Sequence, residues 1–132
     1  MFVALDPALS VVRSVSEVQS KLKPYADSLK WMRPESMYLT LKFLEEVSPP
    51  RLRAVEHRLE AIRRPAFKVS VSGVGFFPDT QSPQVLWTGV SSTALARLAG
   101  EVDRQMVALN FPPEYRKFMP HLTLASSRRL EN

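Results

Sequence analysis

The sequence predicts an α+β domain in which short strands alternate with amphipathic helices. Three observations carry that expectation. Stretches with apolar residues at every second position alternate with stretches where they recur every three or four. Proline and glycine clusters punctuate most of the junctions. No linker or low-complexity segment interrupts the 132 residues, a length that suits one domain with a real core.

Phe2 to Leu5 is a short apolar strand, closed by Asp6-Pro7, which reads as a helix N-cap with proline at the first helical position. Leu9, Val12, Val15 or Ser16, Gln19 and Leu22 mark a helical stripe that ends near Pro24. Residues 25–36 form a connection holding Trp31 and Pro34, and Met37 to Leu44 alternates as a strand. Ser48-Pro49-Pro50 opens a second helix with the stripe Leu52, Val55, Leu59 and Ile62, and Pro65 ends it. Phe67, Val69 and Val71 alternate with polar residues in a half-buried strand that Gly73, Gly75 and Pro78 break. Residues 78–83 are a turn, and Val85 to Val90 is the next strand. A third helix from about Ser92 carries Leu95, Leu98, Val102, Met106 and Leu109 until Pro112-Pro113 stops it, and a last strand holds His121. The predicted order is β-α-β-α-β-β-α-β.

Composition removes several function classes. The chain has no cysteine, which excludes a disulfide scaffold, a thiol nucleophile and thiolate metal sites. Its two histidines, His57 and His121, fall in different contexts, so neither a metal centre nor a cofactor is expected. No apolar run reaches 18 residues, and MFVALDPALS lacks the basic leader and apolar stretch of a signal peptide. The expected location is therefore cytoplasmic, with no membrane partner. Twelve arginines and six lysines give a formal charge of +5, which favours anionic partners such as phosphates or nucleic acid.

Two strands share one pattern. "MYLTLKFL" at 37–44 and "PHLTLASS" at 120–127 both read x-[Tyr/His]-Leu-Thr-Leu. Strand alternation puts Leu122 and Leu124 on one face and aims His121 and Thr123 at the other. His57 lies in "AVEHRLEAIRR" on the polar side of the second helix, where solvent exposure is expected.

At these residues the chain resembles the two-histidine phosphoesterase superfamily, and within it the LigT-like 2'-5' RNA ligases, also described as RNA 2',3'-cyclic phosphodiesterases. That family carries two His-x-Thr-x motifs, matched here at 38–41 and 121–124. The likeness extends to "FVAL", "WMRPESMYLTLKFLEEV", "GVGFFP", "PQVLWTGV" and "FMPHLTLA", in the family's order. The resemblance implies a bilobal, pseudo-twofold fold whose antiparallel sheets face a central cleft, with helices outside. It also implies metal-independent hydrolysis of a terminal 2',3'-cyclic phosphate to a 2'-phosphate, on RNA ends or cyclic nucleotides. His121, Tyr38, Thr40 and Thr123 are its implied catalytic positions. Lys42, Phe43, Arg116, Lys117, Arg128 and Arg129 are expected to bind substrate, since they lie in or flank the motif strands.

The chain departs from the family pattern in four places. Tyr38 stands in the first motif's histidine position, and free tyrosine has a pKa of about 10 against about 6.5 for histidine, so it donates a proton but is no ordinary base near neutrality. Glu45 replaces the glycine of Phe-Leu-Gly, and Ser126 stands where an arginine is expected, so that phosphate contact either passes to Arg128 or Arg129 or is lost. The domain, read as spanning 1–132, lacks the family's usual C-terminal segment. Three readings stay open: a phosphodiesterase impaired at Tyr38, an inactive RNA- or nucleotide-binding module on the same fold, and an inert structural or interaction domain.

Overall fold

The computed structural model of the chain describes residues 1–77 and 85–127. The elements are β1 (Phe2–Leu5), α1 (Leu9–Leu22), β2 (Lys30–Trp31), β3 (Leu39–Phe43), α2 (Pro49–Glu60), β4 (Ser70–Phe77), β5 (Val85–Ser91), α3 (Thr93–Ala108) and β6 (His121–Ser126), with 3-10 turns at Lys23–Tyr25 and Pro34–Ser36. The chain is α+β, as expected, and it divides into two compact units. One comprises Met1–Leu5, Thr40–Lys68 and Ser92–Phe118; the other comprises Asp6–Leu39, Val69–Ser91 and Met119–Asn132.

In the first unit β1 pairs with β3, and the Leu44 N–H donates to the Met1 carbonyl at 2.8 Å to close the end of the pair. The core joins Leu44, Val55, Leu98, Val102, Met106 and Phe111, so the stripes of α2 and α3 bury against each other as their spacing predicts. Ser92 caps α3 by accepting the Leu95 N–H at 3.1 Å. The C-terminal end is a Schellman motif. Asn110, at φ 70°, donates to the Val107 carbonyl, and Phe111 donates to that of Met106.

In the second unit four antiparallel strands run in the order β2-β6-β5-β4. Leu122 and Leu124 are fully buried, together with Val15 of α1 and Leu86, Thr88 and Val90 of β5. Gln19, on the apolar stripe of α1, is buried too. Its side-chain amide donates to the carbonyls of Met32 and Leu124 at 3.0 Å each, so a polar residue ties the helix to β6 from behind.

Three local expectations are corrected. The first helix starts at Leu9 rather than at Asp6-Pro7, because the Ala8 carbonyl accepts the first helical bonds, from Val11 and Val12. The connection 25–36 contains β2, which pairs with β6 at Lys30↔Ser126 and Trp31↔Ala125. The strand expected to break at Gly73 instead runs from Ser70 to Phe77. Gly73 takes φ 76° at a bulge between Ser72 and Val74, and Thr88 Oγ1 donates to its carbonyl at 2.7 Å.

Candidate active site

β6 presents the second motif. Pro120 begins it at the strand's entry, where its missing N–H costs no ladder bond, while its carbonyl accepts the Val90 N–H at 3.0 Å. His121 and Thr123 are half-buried on the face opposite Leu122 and Leu124, as the alternation predicts. Across the sheet, Gly89 pairs with His121 and Trp87 with Thr123. Between Leu86 and Trp87 the register slips, so Leu86 pairs with Ala125 and Leu124 is the extra residue. The two consecutive residues Leu124 and Ala125 then both point into the core, and the bulge re-aims the strand beside the motif.

The imidazole is held on three sides. His121 Nδ1 lies 2.8 Å from the Met119 carbonyl, and a carbonyl only accepts, so Nδ1 carries the proton. In the neutral tautomer that this contact selects, Nε2 is the lone-pair nitrogen, and it has no partner among the described residues. Phe77 meets the ring edge-on at 5.4 Å between centroids, and Trp87 lies tilted at 5.8 Å. Next to His121 opens a hollow of about 220 Å³, which Phe77, Trp87 and Met119 also line.

Tyr38 belongs to the same unit and immediately precedes β3, and the residue is 45% exposed. Thr40 is half-buried in the other unit. There Lys42, Phe43 and Arg116 border one hollow of about 280 Å³, together with Glu45 and Tyr115. Phe43 is 65% exposed and tilts against Phe2 at 6.1 Å. Arg116 and Lys117 are exposed. The Arg116 backbone N–H above all holds the Glu114 carboxyl below its ordinary range; desolvation opposes it, and the Arg116 guanidinium and the Lys42 charge add to the lowering. Arg128 and Arg129 lie outside the described residues. His57 is exposed, as expected.

Lys42 differs from its expected place at the substrate. It is only 5% exposed, and its ammonium donates to Asp103 Oδ1 at 2.5 Å and to the Pro112 carbonyl at 2.9 Å. A buried cation needs such partners, and here α3 and the segment after it supply them. Phe77, Trp87 and Gln19 are the neighbours of the second motif that sequence reasoning missed. The alternation of "VLWTGV" around the buried Leu86, Thr88 and Val90 was the available signal for Trp87. Among the described residues no group of three or more His, Asp or Glu side chains could hold a metal ion, and no helix is long and apolar enough to cross a membrane.

Comparison with known proteins agrees with this arrangement. The family model described as LigT like Phosphoesterase matches residues 5–87 and 89–132. An RNA 2',3'-cyclic phosphodiesterase of Aeropyrum pernix is 37% identical over 106 residues, covering 79% of this chain and 60% of the relative. One of Archaeoglobus fulgidus is 35% identical over 130 residues, covering 98% of this chain and 73% of the relative. The chain thus spans about three-fifths to three-quarters of the length of these two relatives. Among solved structures, TT0787 of Thermus thermophilus superposes with a TM-score of 0.77 at 28% identity, over 96% of this chain and 73% of that one. E. coli LigT in apo form gives 0.77 at 26% identity, over 96% and 70%, and that protein is also known complexed with 3'-AMP and with NADP+. The motif strands, the two α+β units and these matches agree: the chain belongs to the LigT-like phosphoesterase family.

Proposed function

We propose that the chain is an RNA 2',3'-cyclic phosphodiesterase that opens a terminal cyclic phosphate to a 2'-phosphate, with His121 as its acid–base group. The orientation of His121 carries this reading. With Nδ1–H fixed on the Met119 carbonyl, Nε2 is the working nitrogen, and a neutral imidazole can accept a proton near neutral pH. Water attacks phosphorus while Nε2 takes its proton. The bond from phosphorus to the ribose 3'-oxygen breaks, and that oxygen is protonated by the Tyr38 hydroxyl. Thr123, and Thr40 in the first motif, donate hydrogen bonds to the phosphoryl oxygens as charge builds on them. Phe43, Arg116, Lys117, Arg128 and Arg129 are assigned to binding of the RNA end. The names of the relatives and the 3'-AMP complex of E. coli LigT support the substrate class.

Tyr38 makes this an impaired member. A phenol is a far weaker acid than an imidazolium, and a matched acid–base group contributes about 10²–10⁴ in rate. The same residue favours a second reading, an RNA-end binding module without turnover. Hydrolysis of a 2',3'-cyclic nucleotide by the chain and by Tyr38→His separates the two. The substitution should raise the rate by at least about a hundredfold and give a bell-shaped pH profile. Turnover by neither form, with phosphate still bound, would leave the binding module. The proposed mechanism uses side chains alone, so turnover should persist in EDTA. Loss in EDTA with recovery on adding a divalent ion would overturn it.

A further inference from the structure

We propose that the hollow beside His121 is the seat of a nucleobase, belonging to the nucleotide whose phosphate meets His121 and Thr123. This deepens the phosphodiesterase reading and rests on it.

The hollow is formed on one face of the second unit's sheet. Register sets Gly89 opposite His121, and Trp87 opposite both Thr123 and Gly75. Gly75 is what lets the indole lie across the sheet, because a Cβ there would overlap the Trp87 ring. Gly89 contributes no side chain to the space it borders. Phe77 stacks on Trp87 at 5.2 Å with 28° between the ring planes, and both rings reach the imidazole. The indole N–H is buried without a partner among the described residues, so no hydrogen bond to them explains the ring's place here.

Chemistry narrows the occupant. Among the described lining residues only His121 is ionisable, which disfavours a phosphate or carboxylate as the occupant. Ser72 and Ser91 add two hydroxyls, suited to a ring with polar edges. At about 220 Å³ the space is smaller than the 300–1,000 Å³ typical of drug-sized ligands, so it takes one ring system rather than a whole nucleotide. A neutral, flat heterocycle with hydrogen-bonding edges fits all three conditions, and aromatic walls receive such bases with little sequence preference.

The test titrates the full chain with 3'-AMP and, separately, with inorganic phosphate, alone and in competition. The chain should bind 3'-AMP at least about tenfold more tightly than phosphate, the scale of one stacked base. Ser91→Phe, which fills the hollow, and Phe77→Ala, which removes its wall, should each close that gap while phosphate still binds. Retained phosphate binding shows that the variants are folded. The proposal is overturned if the gap survives both variants, or if Phe43→Ala alone closes it. Phosphate binding with no gap for 3'-AMP in the unaltered chain sinks the seat and spares the phosphodiesterase reading. Conversely, 3'-AMP binding that the two variants weaken but phosphate does not compete supports the seat and removes that reading. Binding of neither ligand removes both.

Discussion

Lys42 lies two positions beyond Thr40, so strand alternation assigns it to the same side as Tyr38 and Thr40 and makes it read as a phosphate contact. Its charge is instead consumed inside the first unit by Asp103 and the Pro112 carbonyl. Asp103 Oδ1 also accepts the Glu114 N–H at 3.1 Å, so one carboxylate oxygen joins β3 to the loop after α3. Removing one partner of a fully buried pair costs about 3–5 kcal/mol. The Asp103 side chain keeps a quarter of its exposure, so for Lys42→Met we expect a smaller loss, about 2 kcal/mol. Adding Asp103→Leu should restore part of it, since the stranded charge disappears while Glu114 loses its acceptor. Urea unfolding of the four forms tests this; additive losses would mean that the pair is not coupled. The faces of His121, Thr123 and their two leucines were legible because strand alternation depends on local sequence alone. The fate of Lys42 was not, because its partner lies 61 residues away on another element.

Among the elements, α3 shows how a helix end prepares the next segment. Its stripe and its Ser92 cap follow from the sequence, and Pro112-Pro113 rightly marks a stop, but the helix closes earlier, with Asn110 in the left-handed region. Arg51 donates to the Leu109 carbonyl at 3.1 Å and lies 3.7 Å over the Phe111 ring, which fixes the exit of the chain. That exit delivers the Pro112 carbonyl to Lys42 and so steadies the strand carrying the first motif. A β-branched residue pays the left-handed penalty that asparagine tolerates and glycine avoids. Asn110→Val should therefore destabilise by about 1–2 kcal/mol, while Asn110→Gly should be neutral or slightly stabilising. Thermal melts that rank glycine below valine would refute the motif's role. The bulges at Gly73 and Leu124 could not be anticipated from local pattern, because each is a property of pairing between strands. Phe77 and Trp87 reach His121 only through that pairing.

At the scale of the whole chain, the count of 18 basic side chains overstates how many can meet a polyanion. Arg51 caps α3, Arg64 pairs with Glu101 at 2.7 Å, Arg116 shares the Glu114 carboxylate, and Lys42 is buried. Lys117 is exposed and shortly precedes the second motif strand in the sequence, and we expect a full contribution from it. Each phosphate contact on a single strand contributes about 0.7 to the slope of log affinity against log salt. Binding of a short single-stranded RNA should therefore weaken steeply with salt, and Lys117→Gln should flatten the slope by about 0.7. Lys42→Met should leave the slope unchanged, provided it is measured below the variant's unfolding transition. A slope that falls equally in both variants would mean that the Lys42–Asp103 pair opens onto RNA, and the structural account of Lys42 would have to be abandoned. A slope near zero in the unaltered chain would make its basic residues ordinary solvated charges, with affinity then resting on the base seat and the motif hydroxyls.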